Sequence, residues 1–99
     1  MAEEIKKQEI KIEIDEQTAN GKYSNLALIT HSQTEFIIDF IFVQPQSGKA
    51  KVQDRIITSP LHAKKFLQAL QENVAKYEMR FGQIKNTEMS QQEQSKFYN

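Results

Sequence analysis

Phe36-Ile37-Ile38-Asp39-Phe40-Ile41-Phe42-Val43 is the most apolar stretch of the chain, built almost wholly from aromatic and β-branched residues. Such side chains suit a pleated, packed surface, so the stretch reads as a strand. Successive side chains of a strand point to opposite faces. Ile37, Asp39, Ile41 and Val43 therefore share one face, and Phe36, Ile38, Phe40 and Phe42 share the other. Both faces ask for burial, which makes this the central strand of a sheet.

The neighbours on either side supply its partners. Upstream, Tyr23 to Thr30 reads as a strand, set off by the polar break His31-Ser32-Gln33-Thr34. Further upstream, Ile10, Ile12 and Ile14 alternate with Lys11, Glu13 and Asp15, the period-two signature of a strand with one buried face, over Glu9 to Glu16. Asn20-Gly21, within the polar stretch Thr18 to Lys22, tolerates positive φ and turns the chain between these two. Downstream, Pro45, Ser47 and Gly48 break the central run, and a last strand extends from Lys49 to Thr58. A hairpin centred on Ser47 sets Asp39 opposite Arg55 and Ile37 opposite Ile57, with Val52 and Ile56 on the face of the phenylalanines. A carboxylate in an apolar setting needs a partner, and arginine offers a bidentate one, so the pair is read as structural.

Ser59-Pro60 is a helix start: serine accepts from the first free N–H groups, and proline at the first helical position gives up no bond. Ala63, Phe66, Leu67, Leu70, Val74, Tyr77 and Phe81 then trace one apolar stripe as far as Gly82, the expected left-handed stop. About 22 residues at 1.5 Å each give roughly 33 Å, longer than the sheet the stripe is expected to cover. The expected fold is α+β: a four-stranded antiparallel sheet followed by one long C-terminal helix. The chain divides into a flexible start (1–8), a single domain (9–84) and a polar Gln- and Ser-rich tail (85–99).

Ninety-nine residues suffice for one domain only. The mean hydropathy of -0.64 is low, yet six Phe and three Tyr lie within clear apolar runs, which excludes general disorder. Thirteen Lys and Arg balance thirteen Asp and Glu, so no long-range positive field gathers phosphates, and nucleic acid is not an expected partner. There is no cysteine, hence no disulfide, thiolate nucleophile or thiolate metal site. No apolar run approaches a membrane span and residues 1–15 hold no apolar signal core, so a cytoplasmic location is expected.

Catalytic chemistry has little to draw on. His31 falls in a turn and His62 in the first helical turn, neither at metal-ligand spacing from a second ligand. With three glycines there is no phosphate-cradling loop and no nucleophile elbow. Lys64 and Lys65 near the helix start read as a solvated face. No enzyme activity, cofactor or metal is expected.

Several runs are familiar nonetheless: Tyr23-Ser24-Asn25, Glu35 to Phe40, Arg55-Ile56-Ile57-Thr58-Ser59-Pro60-Leu61-His62-Ala63-Lys64, and Leu70 to Glu78 continuing to Phe81-Gly82-Gln83-Ile84. Together they resemble the short prokaryotic proteins of domain-of-unknown-function family 3467 over residues 10 to 84, with Ser24 standing where that family tends to carry alanine. The resemblance implies relatives without implying an activity. Four antiparallel strands followed by a long helix is also similar in order to the export chaperone SecB, a likeness of topology alone.

The two-sided central strand and the overlong helix exceed what one chain can cover, so self-association into a dimer or higher even oligomer is expected. Ile37, Asp39, Ile41, Val43, Arg55 and Ile57 are the expected interface or binding residues. The function that follows is a small cytosolic homo-oligomeric protein-binding module of chaperone-like kind, acting on polypeptide clients. The competing reading is a dedicated accessory subunit with one specific protein partner.

Overall fold

The central run forms the strand expected of it. In the computed structural model, which describes residues 9–86, the chain forms a short helical turn α1 (Glu16–Ala19), three strands β1 (Leu26–His31), β2 (Phe36–Val43) and β3 (Ala50–Thr58), and a long helix α2 (Pro60–Phe81). The sheet is antiparallel in the order β1-β2-β3, with β2 in the middle. The fold class is α+β. The start expected over 1–8 and nearly all of the polar tail lie outside the described residues.

The expectations for the first strand and for the helix stripe are corrected. The sheet has three strands among the described residues, because residues 9–15 form none: Ile10, Ile12 and Ile14 are 85, 92 and 67% exposed. Alternation alone does not make a strand, since its backbone groups need a neighbouring ladder. Asp15 competes for the end of this segment by capping α1, its Oδ1 accepting from Thr18 N–H at 3.2 Å. The second correction concerns α2. It does not lay its stripe on the sheet, for none of its residues is buried. Phe66, Leu70 and Tyr77 are 40, 49 and 50% exposed.

The segment leading into β1 is tied to the end of β2 by side chains. Asn25 Nδ2 donates to the Val43 carbonyl at 3.0 Å, and Val43 N–H donates to Asn25 Oδ1 at 2.8 Å. The amide thereby continues the ladder one step beyond β1, beside the backbone bond from Asn25 N–H to the Ile41 carbonyl at 3.0 Å. Tyr23 packs edge-on against Phe42, ring centroids 6.0 Å apart. The Tyr23-Ser24-Asn25 motif is thus a clasp. The β2–β3 turn closes through Gln44 N–H to the Lys49 carbonyl at 2.8 Å, with Gly48 at φ 69°, a left-handed conformation suited to glycine.

Both ends of α2 are capped. Ser59 Oγ accepts from His62 N–H at 3.1 Å, with Pro60 in the first position. At the other end Gly82 adopts φ 97° and ψ 166°, a region open essentially to glycine alone, rather than the left-handed helical stop expected from sequence. Just beyond it, Ile84 N–H reaches back to Glu78 Oε2 at 2.8 Å. That bond gives the Glu78 to Ile84 spacing a physical cause.

Replacing Asn25 by alanine removes two bonds to Val43 and costs about 1 kcal/mol. Amide exchange at Val43 should rise sharply in that variant, while the amide of Ile56, paired with Ile38 across the sheet, stays protected; equal protection at Val43 would contradict the clasp. At α1, hydrogen bonds from the Thr18 side chain and backbone hold the Asp15 carboxyl below its ordinary value. The cap is therefore complete above the ordinary aspartate range and is lost as pH falls through the lowered value. The Thr18 amide resonance should titrate there in the native chain and not in Asp15→Asn.

Candidate interaction surface

Strand register decides which side chains share a face. Across β2 and β3, Asp39 stands opposite Arg55 and Ile37 opposite Ile57, as the hairpin centred on Ser47 requires. Between Phe40 and Ile41 the register shifts, so Phe40 faces Asp54 while Ile41 faces Val52, leaving Gln53 as the extra residue of a bulge. The shift corrects one assignment. Val52 joins the Ile37, Asp39 and Ile41 face instead of the phenylalanine face, because the extra residue reverses the alternation beyond it. Leu26 and Leu28 of β1 complete this face, opposite Ile41 and Asp39.

The centre of the face is an ion pair in apolar surroundings. Arg55 Nε donates to Asp39 Oδ1 at 2.7 Å and Arg55 NH2 donates to Oδ2 at 2.9 Å, a bidentate fork. Asp39 is buried, with 5% of its surface exposed, whereas the Arg55 side chain keeps 58%. The carboxylate sits inside and the guanidinium bridges it to solvent. Ile41 is fully buried, Ile37 and Val43 are half-buried and Ile57 is 54% exposed. The six expected residues are thus brought onto one face, but only Ile57 and Arg55 offer it substantial outward surface. Ile41 and Asp39 lie beneath it.

The opposite face carries Ile29, Ile38 and Ile56 in one cross-strand row. Ile38 in the middle is buried, while Ile29 and Ile56 are 56 and 47% exposed. His31 stacks on its cross-strand neighbour Phe36 at 5.3 Å, so this imidazole serves as an aromatic plate at the strand end. Beside the bulge lies an open hollow lined by Lys22, Ser24, Phe40, Gln53, Asp54 and Ile56, with Lys22 Nζ 3.3 Å from Asp54 Oδ1. Both members of that pair are solvated and it contributes little. Among the described residues no group of three His, Asp or Glu could hold a metal ion, and no helix is long and apolar enough to cross a membrane.

The apolar surface left uncovered is larger than the sequence implies. Ile38 and Ile41 are the only buried apolar residues among those described. Leu67, Leu70, Tyr77 and Phe81 on α2 remain 53, 49, 50 and 65% exposed. The helix stripe is legible in the sequence, but periodicity matches it to the sheet of the same chain and so conceals its exposure.

A family model described as a protein of unknown function, DUF3467, matches residues 1–86. The chain belongs to this family. No curated protein and no solved structure matches it.

Replacing Arg55 by methionine leaves the Asp39 carboxylate without its fork. Because Arg55 is largely exposed and water can reach its place, the expected loss is about 1–3 kcal/mol, below the cost of splitting a fully buried pair. The double change Asp39→Leu with Arg55→Met should recover most of it. Urea titration of the two variants checks this, and a single variant as stable as the parent would contradict a structural role for the pair.

Proposed function

We propose that this chain is a small homo-oligomeric protein-binding module of the cytoplasm, which holds apolar polypeptide segments in the manner of a chaperone and catalyses no reaction. The observation that carries the reading is the mismatch between its apolar content and its own core. Among the described residues only Ile38 and Ile41 are buried apolar side chains, and the rest of the sheet's apolar residues are half-buried or exposed, a small core for a chain of this length. Apolar side chains that one chain leaves in water find partners in other chains. The α2 stripe is separate from the sheet, whose two faces expose Ile57 on one side and Ile29 and Ile56 on the other, so assembly and client contact can use different surfaces. The balance of charges offers nothing to nucleic acid.

The test combines mass with capture. Light scattering at micromolar concentration should give a dimer or higher even oligomer, and the oligomer should suppress aggregation of a permanently unfolded, reduced and alkylated model polypeptide. Ile57→Lys, an exposed sheet position, should lower that suppression several-fold while the oligomer mass is unchanged. A monomer mass at every concentration would refute self-association. An oligomer that ignores unfolded polypeptide yet holds a single stoichiometric partner from its host would assign it instead to the accessory-subunit class. Turnover of a small substrate that vanishes with His31→Ala or His62→Ala would overturn both.

A further inference from the structure

Within the α2 stripe, Ala63, Leu67, Leu70, Val74, Tyr77 and Phe81 follow one another in alternating steps of four and three residues. That is the seam spacing of a left-handed coiled coil, narrower and more regular than the face of a helix lying on a sheet. The seam runs through nearly the whole helix, about 27 Å at 1.5 Å per residue. Ala63 is half-buried and the other five are at least 37% exposed, so the single chain leaves the seam uncovered.

We infer that the occupant of this seam is α2 of a second copy of the chain, lying antiparallel about a two-fold axis at Glu72. The assignment rests on the self-association proposed above and specifies where it occurs. Four features of the sequence on the helix agree with it. Antiparallel pairing about Glu72 stacks Ala63 against Phe81, Leu67 against Tyr77 and Leu70 against Val74 of the second copy, so each layer sets a smaller side chain against a larger or comparable one. A parallel pair would instead stack Phe81 on Phe81 and Ala63 on Ala63, crowding one end and leaving a void at the other. Flanking the seam, Lys64 meets Glu78 of the second copy, and by symmetry Glu78 meets Lys64, giving two opposite-charge contacts. A parallel pair brings no such opposite charges together, since Phe66 would meet Gln71 and Asn73 would meet Glu78. On the other flank Arg80, whose guanidinium already lies 5.3 Å from the Phe81 ring, comes beside Phe66 of the second copy, where a cation on an aromatic face is favourable. At the axis itself Gln71 meets Gln71 and Asn73 meets Asn73, polar pairs that fix the register without burying charge. Glu78 keeps one oxygen for Ile84 N–H and has the other to offer Lys64.

The absence of cysteine in the chain makes the orientation directly testable. Leu70→Cys and Val74→Cys are prepared separately, and each is oxidised alone and then mixed with the other after exchange of subunits. An antiparallel seam brings the thiol introduced by Leu70→Cys in one copy only to the thiol introduced by Val74→Cys in another. Disulfide-linked dimer should therefore form in the mixture, up to about half of the chains by random pairing, at least ten-fold above either variant alone. Leu67→Cys with Tyr77→Cys provides a second pair, should the first impair folding, and should behave alike. Efficient cross-linking of each variant with itself would show a parallel pair and overturn the assignment. So would no cross-linking in either pair while the parent chain has a dimer mass, since assembly would then use another face. A monomer mass for the parent chain would overturn self-association itself, a separate failure from that of the orientation.

Discussion

The Asp39–Arg55 fork is the contact on which the sheet's register depends. A slip of β3 by one residue would carry Arg55 to the other face and leave the buried Asp39 carboxylate opposite Ile56 or Asp54. Apolar neighbours give little register preference by themselves, because Ile56 and Ile57 present nearly identical surfaces. The charge therefore discriminates where hydrophobicity cannot. With register held at Asp39, the two-for-one bulge at Gln53 falls just beyond it, and Val52 turns onto the Ile41 side. Ile41 then has Leu26 on one flank and Val52 on the other, and it is the one fully buried large side chain of the described residues.

A second constraint is one of coverage. β2 is apolar on both faces, and a three-stranded sheet has only two neighbouring strands with which to shield its centre. The helix, long enough to close one face, keeps much of its own stripe in water. The organisation of the chain is thus divided: short-range devices such as the Asn25 clasp, the Ser59 cap and the Glu78 to Ile84 bond specify local geometry closely, while long-range burial is left incomplete. Local precision with a small core leaves apolar surface that the proposed assembly would cover.

What the sequence disclosed, it disclosed through signals that act over a few residues. The β2 run, the pairing of Asp39 with Arg55 about Ser47, and the helix from Pro60 to the brink of Gly82 all depend on patterning, a turn and caps, and the structure has them where the sequence places them. The failures involve what a segment packs against. Ile10, Ile12 and Ile14 alternate as a strand should, but alternation says nothing about whether an edge is at hand to receive it. The bulge is hidden in the sequence because no glycine or proline marks Gln53; a polar residue that fits either face gives no warning. Including Phe66 in the α2 stripe blurs its regular four-three spacing into a broad face suited to a sheet. Without Phe66, the same residues have the spacing of the proposed helix pair.

Helix pairing and folding are energetically linked in a chain built this way. Leu67, Leu70 and Tyr77 keep about half of their surface in water in an isolated chain, and since full burial of such a side chain is worth roughly 1.5–3 kcal/mol, completing it adds about half of that for each. In the proposed pair that gain comes twice over by symmetry, and it is set against a monomer whose own core is small. The folded state would then owe much of its stability to mass action, with a melting temperature that climbs with protein concentration. The sheet would be affected only indirectly, because no α2 side chain is buried against it. Substitutions at Ile57 or Ile29 would alter contact with other polypeptides and leave that concentration dependence intact, whereas substitutions along the helix seam would abolish it. Two apolar surfaces in one short chain can thus be told apart by thermodynamics before any partner is known.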